Sequence, residues 1–334
     1  MKANIKLISE KTGFSPATIS NALNHKKGVN KDTADKIMDV ARELGYITED
    51  EISKIKFVMY RRNGQILDDT PFFTLMIDGF QKACQEFGYE MVMVNLDRFS
   101  KSYEDDVREL LSDISSAVVL LGTELMPGDL ETFSNAKCPF LLLDHLSTDM
   151  QFSGVAINNI DSARLATKYL LDMGHEKIGY LSGKFRIRAF RLRGQGYRHE
   201  LEKAKIKYEA AYRIPLSTTM DGAYSDMKEY LKKKPKLPTA FFADNDMIAL
   251  GAMKAMKESG IKIPDDVSII GFDDLPYSEI CSPRLTSLRV PKQEMGMIAV
   301  KRMIEIMKDK TQVKTNIEVG TDFVIRDSVK EIKG

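Results

Sequence analysis

Carboxylates, arginines and aromatic rings gather where short apolar runs of this 334-residue chain end. Asp69, Thr70, Phe72 and Phe73 follow FVMYR, Thr123 and Glu124 follow AVVLLG, and Asp144 closes PFLLLD. Further along, Arg191 and Arg193 stand in RLRGQGY, Asn245 and Asp246 follow TAFFAD, and Asp273 with Asp274 closes VSIIGFDD. Hydroxyl groups both donate and accept, so Asp, Asn and Arg can hold a polyhydroxylated ligand in forks while an aromatic face covers its C–H surface. Phe72 or Phe73 supplies that face. The same residues have plainer uses: an Asp after a strand caps the next helix, Asp246 as readily as it touches a ligand, and PFF can fill a core. Catalysis is a poorer reading, because adjacent Asp273 and Asp274 on an extended chain point to opposite sides and cannot flank one glycosidic bond at separations of about 5–9 Å. His25, His145, His175 and His199 are scattered, with no Ser-His-Asp order, HExxH or GxxxxGKS in the chain. His175, after Met173-Gly174, reads as a helix-end cap and His145 as a rim contact. No enzyme activity, cofactor or metal is expected.

The elements that must position these residues follow from hydrophobic periodicity. From Phe57 onward, short apolar runs alternate with amphipathic helical stretches, the rhythm of parallel strands with helical crossovers in an α/β fold. One series runs from FVMYR to PFLLLD, and a second from VAIN to VSIIGFDD, so two similar open sheets are expected. In such sheets ligands bind beyond the carboxyl ends of the strands, where loops and helix N-termini converge with unpaired polar groups.

The amino end is different. Ser15 can cap a helix opened by Pro16, whose missing N–H costs nothing there, and Ile19, Ala22 and Leu23 give that helix a buried side. Ala17, Thr18, Asn21 and Asn24 are left to face outward. A preceding helix, Asn4 to Lys11, ends at Thr12-Gly13, where glycine permits a left-handed turn. A third helix opens at Asn30 with Asp32 in its first turn and stops at Gly45. Two short helices on a glycine turn form a helix-turn-helix, and the third closes a small core.

Composition sets limits on both parts. At 43% hydrophobic and 29% charged, the chain suits two or three soluble domains with large cores. The formal net charge is only +1, so any nucleic-acid binding must rest on local placement of Lys2, Lys6, Lys26, Lys27 and Lys31. Cys84, Cys138 and Cys281 are few, odd in number and lack metal-like spacing, which suits reduced, structural thiols. No signal peptide and no run of about 18 apolar residues is present, so a cytoplasmic location without membrane contact is expected.

IKLISEKTGFSPATISNALN followed by VNKDTADKIMDVARELGY resembles the head of the lactose/galactose-repressor (LacI/GalR) family of bacterial transcriptional regulators. DTPFF, MGHEKIGYLSG, FFADNDMIALGAMKAM and SPRLTSLRVP extend the resemblance to its two-lobed, periplasmic-binding-protein-like effector domain. The resemblance implies a head at 1–46, a linker at 47–56 and an effector domain at 57–330. The first lobe is expected at about 57–154 and 288–312, and the second at 155–287 and 313–328, with crossings near Gly154, Leu288 and Val313. It assigns base reading in the major groove to Pro16, Ala17 and Asn21, and phosphate contacts to Thr18, Ser20 and Asn24, with Ser15, His25 and Lys31 completing the DNA-binding set. Relatives often hold Arg at the place of Asn21, so a shift of preference from guanine toward adenine is expected. It also matches Arg191 or Arg193, Asn245 and Asp273 to effector contacts, with Asp144 joining them in sugar-responsive members. The implied function is a repressor of duplex operators, acting as a homodimer and controlled by a sugar between the lobes. The alternatives are a regulator sensing a nucleobase and a sugar-handling enzyme or binding protein with a fused head. One departure stands out: relatives continue with a Pro-Asn and Ala-Arg-x-Leu hinge whose leucine wedges the minor groove, whereas ITEDEISKIKF is shorter and carries Glu49, Asp50 and Glu51. Three carboxylates repel phosphates, so weak operator bending is expected.

Overall fold

The computed structural model describes residues 4–23, 29–44, 46, 52–68, 71–308 and 313–332. By contacts the chain divides into two compact units, Met1–Ser53 and Lys54–Gly334.

The first unit holds α1 (Ile5–Thr12), α2 (Pro16–Leu23) and α3 (Lys31–Glu43). Asn4 caps α1 by accepting from the Leu7 N–H at 2.9 Å, and Gly13 ends it in the left-handed region at φ +77°. Ser15 caps α2 through the Thr18 N–H at 3.1 Å, and Asn30 accepts from the Asp32 N–H at 2.9 Å. Ile8, Ile19, Ala22, Ile37 and Ala41, one stripe from each helix, close the core. The linker residues 47–51, and with them the acidic run, lie outside the described residues.

The second unit begins with β1 (Lys54–Arg61), α4 (Phe72–Glu86), β2 (Glu90–Asp97), α5 (Tyr103–Ser112), β3 (Ser116–Leu121), β4 (Phe140–Leu143) and β5 (Ser153–Ile157). It continues through α6 (Asn159–Asp172), β6 (Ile178–Gly183), α7 (Arg188–Lys203), β7 (Arg213–Leu216), α8 (Met220–Lys232), β8 (Ala240–Ala243), α9 (Asp246–Glu258) and β9 (Ser268–Ile270). It finishes with α10 (Pro276–Ile280), β10 (Ser287–Arg289), α11 (Lys292–Lys308), β11 (Asn316–Val319) and β12 (Asp322–Val324). One parallel sheet has the order β11-β5-β4-β3-β1-β2 and a second has β7-β6-β8-β9, while β10 and β12 form an antiparallel ribbon. The central strand β3 is buried at every residue, as a parallel strand covered on both faces must be.

Two expectations need correcting. VAIN belongs to β5 of the first sheet, so the chain leaves that lobe after Ile157 rather than near Gly154. The last segment also stays in the first lobe until β11 has paired with β5, so the final crossing follows Val319 instead of Val313. The reason is that NIEV, half-exposed in alternation, reads as an edge strand of either sheet, and only pairing chooses between them. His175 does end α6, its N–H donating to the Leu170 carbonyl at 3.1 Å after left-handed Gly174, and its buried ring in addition bonds the Thr239 hydroxyl at 3.0 Å and the Lys330 carbonyl at 3.2 Å, tying the C-terminal tail to the second lobe.

Two glycines set the approach of α4 to α11. A Cβ on Gly79 would lie 1.9 Å from the Gln293 carbonyl oxygen, and one on Gly296 would lie 2.1 Å from that of Met76. That close crossing brings the N-terminus of α4, with Phe72, to the N-terminus of α11, with Lys292.

Candidate functional site

In the head, Ser15, Pro16, Ala17 and Asn21 are exposed, and Thr18 and Ser20 are half-buried on the same short helix. Ser15 gives its oxygen to the cap and pairs with the Thr18 hydroxyl at 2.9 Å, so its part is to present the start of α2. The polar face therefore surrounds a helix N-terminus, whose N–H groups and dipole favour a phosphate. Asn24 and His25 lie outside the described residues, and only the main-chain position of Lys31, first in α3, is described.

In the second unit, strand ends from both sheets converge. Asp144 follows β4 with φ +56° and accepts from the Thr123 hydroxyl at 2.7 Å through Oδ2, while its buried Oδ1 has no hydrogen-bond partner. Asp273 follows β9 with φ +106°, and its Oδ1 likewise lacks one, with Arg193 Nη1 3.5 Å away. Arg193, only 3% exposed, is anchored by Nε to Asn159 Oδ1 at 2.8 Å and by Nη1 to the Asp244 carbonyl at 2.6 Å, with its guanidinium over the Phe272 ring. Lys292 donates to the Asp273 carbonyl and lies 5.6 Å from the Phe72 ring centroid. Phe72 meets Phe73 edge to face at 5.1 Å.

The electrostatics follow from this burial. Burial pushes both aspartates up to about 6, against the pull of Arg193. His145, also buried with an unpartnered Nδ1, is held down to about 4 by burial first and then by Arg188 and Arg191, so it is neutral in the range where the aspartates titrate. Asp144, Asp273, Arg193, Phe72, Lys292 and His145 thus form one largely dehydrated set with acceptors left open.

Other expected contacts are employed elsewhere. Asp246 is fully buried and accepts from the Leu275 N–H at 2.8 Å, the Ser278 hydroxyl at 2.7 Å and the Ser287 hydroxyl at 2.7 Å. It is a knot inside the second lobe, which corrects its place among the effector contacts. Asn245 uses Oδ1 to cap α9 through the Ile248 N–H at 3.0 Å. Arg191 turns its Nη1 to the Arg186 carbonyl at 2.6 Å, leaving the cleft to Arg193. Asp274 pairs outward with Arg326 at 2.7 Å and Arg289 at 2.7 Å, opposite in direction to Asp273. Asp69 and Thr70 lie outside the described residues. Sequence reasoning missed Lys292, Asn159 and Phe272. The only signal for Lys292 was a lysine directly after a proline at a helix start, which has no meaning until α11 is placed beside α4.

Comparison with known proteins agrees with this architecture. Residues 4–49 match the model of "Bacterial regulatory proteins, lacI family", and residues 167–329 match that of a "Periplasmic binding protein-like domain". The HTH-type transcriptional repressor PurR of Vibrio vulnificus (strain CMCP6) is 30% identical over 333 residues, 99% of each chain. Among solved structures, a complex of the transcriptional regulator CelR with cellobiose superposes with a TM-score of 0.74 at 26% identity, covering 98% of this chain and 99% of that one. A lac repressor dimer bound to operator and the anti-inducer ONPF gives 0.73 at 22% identity, covering 99% and 100%, a likeness of fold. With a helix-turn-helix head and a two-sheet body matched over nearly its whole length, this chain belongs to the lacI family of bacterial regulatory proteins, DNA-binding transcriptional regulators rather than enzymes.

Proposed function

We propose that the protein is a repressor whose hold on a palindromic operator is set by a sugar or sugar derivative bound between its lobes. The observation that carries the ligand class is the pair of buried aspartate oxygens, one from each lobe, without hydrogen-bond partners. A polyol offers two hydroxyl donors to such a pair and accepts in turn from Arg193, and Phe72 covers its C–H face. The cellobiose held by CelR supports a sugar of this kind. A nucleobase is the second reading, favoured by the Phe72 ring beside Lys292.

On DNA, α2 enters the major groove with Asn21 reading adenine, and two heads are needed for useful specificity. A homodimer is therefore part of the proposal. Met93 (50% exposed) and Phe99 (73%) beside the edge strand β2, and Tyr277 (42%) and Ile280 (78%) on α10, are apolar groups suited to a second copy. The acidic linker leaves the operator weakly bent.

Selection from random duplexes, with and without a panel of sugars, phosphosugars and purines screened by thermal shift, tests this reading. A palindrome whose binding changes with one sugar is expected. Loss of sequence preference in every condition overturns the DNA reading, and a midpoint raised by a purine alone overturns the sugar. Asn21→Arg is expected to move the selected base from adenine to guanine, and unchanged bases would remove Asn21 as a reader. A gel bend assay showing a sharp kink would refute the linker's part.

A further inference from the structure

A cavity of about 340 Å3 lies between α7, β6 and the start of β7. Arg186, Arg191, Arg198 and Arg213 line it, and its lining contains no Asp or Glu and none of the cleft residues named above. Arg191 and Arg198 are seven positions apart on α7 and so share one face, with Gly194 between them.

Three of the four guanidinium groups are held in place. Arg186 is held by Asp244 and the Phe190 carbonyl, Arg191 by the Arg186 carbonyl at 2.6 Å, and Arg198 by the face of Tyr208, whose centroid is 4.6 Å away. Among the described residues Arg186 alone of the four has a carboxylate partner near this cavity, Asp244, and that carboxylate is fully buried behind it. Crowding by Arg188 and Arg186 adds to burial in lowering the pKa of Arg191, the mark of positive charge without a counter-charge. Surface arginines are ordinarily dispersed among carboxylates. Here four converge on a concavity, and a Cβ on Gly194 would be in ordinary contact with Arg186 at 3.5 Å and Tyr180 at 3.6 Å, so Gly194 is part of its wall.

We propose that this cavity is a second ligand site, specific for a small phosphorylated metabolite and lined by other residues than the interlobe cleft. Guanidinium forks match phosphate oxygens two at a time, and several rigid forks around one cavity select a multiply charged anion over chloride or a neutral sugar. Asp244, which holds Arg186, also carries the carbonyl that anchors Arg193, so one residue borders both sites.

Titration calorimetry of the full-length protein with inorganic pyrophosphate, in phosphate-free buffer of low ionic strength, is the test. Saturable binding is expected in the wild type, and the double variant Arg198→Ala/Arg213→Ala, at the exposed rim, should weaken it at least about tenfold, or about 1.4 kcal/mol. Gly194→Leu, which fills the space and keeps every arginine, should do the same, and Arg198→Lys/Arg213→Lys should retain part of the affinity. Equal affinity in the wild type and the alanine double variant places pyrophosphate on head lysines and overturns the proposal, as does an absence of saturable binding in the wild type. An unchanged unfolding midpoint in the alanine double variant shows that lost binding is not lost folding.

Discussion

Glu124 and Asp273 are buried carboxylates at strand ends, one in each lobe, and they are treated in opposite ways. Glu124 accepts from five main-chain N–H groups, those of Arg62, Asn63 and Gly64 on Oε2 and of Ile66 and Leu67 on Oε1, and so fixes the loop after β1. Asp246 resembles Glu124, with three donors from within its own lobe. Asp273 and Asp144 each keep an oxygen without a hydrogen-bond partner, on backbone at positive φ. A buried polar atom left unmet costs about 1–3 kcal/mol, and a non-glycine residue held at positive φ costs a comparable amount. Folding alone favours the first arrangement. Under the proposed function the second is what a ligand completes, and satisfaction, rather than burial or residue type, then separates a structural carboxylate from a binding one.

The largest effect that sharpens this contrast is in Glu124→Ala. Five N–H groups lose their acceptor in a buried loop, and a loss of about 3 kcal/mol or more in urea unfolding is expected. A loss below about 1 kcal/mol would erase the distinction. Asp273→Asn and Asp144→Asn should instead leave stability within about 1 kcal/mol of the wild type, because the amide introduced by Asp144→Asn keeps an oxygen for the Thr123 hydroxyl and Arg193 keeps its bonds to Asn159 and Asp244, while weakening the effector about 10- to 100-fold in calorimetry. Strong destabilisation with unchanged affinity would reverse the two classes.

The pH response follows from the raised values of about 6 for Asp144 and Asp273. Both are elevated above the unfolded carboxylate value, so the folded protein binds more protons than the unfolded chain between about pH 4 and 6. Their contribution to stability is therefore present below that window and lost as pH rises through it. Ligand hydroxyls donate to the ionised form, so effector affinity should rise from pH 5 to 7 and then level, with protons released on binding. Calorimetry in buffers of different ionisation heat measures that release, and proton uptake would contradict the assignment. The smallest effect on the effector is expected for Asp274→Asn: it takes the carboxylate from the buried Arg326 side chain (6% exposed), which should cost about 3 kcal/mol in stability, and it changes effector affinity little. A binding loss equal to that of Asp273→Asn would show that the two neighbours share one role.

The head was the most legible part because its signals are local. Gly13, Ser15-Pro16 and Asn30 each act within four residues of where they stand, and each is found in that role. Most strands and helices of the larger unit were equally plain from their periods. The β7–α8 pair was not, since RIPL carries Pro215, a residue that an edge strand tolerates and a central one does not, and the edge position emerges only from pairing.

By itself the sequence determined the elements, the glycine turn, the exposed polar face of α2 and the short list of residues at strand ends, because each depends on neighbours along the chain. Tertiary structure alone decided which of those residues are open: that Asp246 is consumed by Ser278 and Ser287, that Arg191 turns to Arg186, and that Lys292 joins Asp273. Those outcomes turn on partners separated by between five and forty-one positions in sequence, and a carboxylate's free oxygens are counted only after every distant donor has been placed.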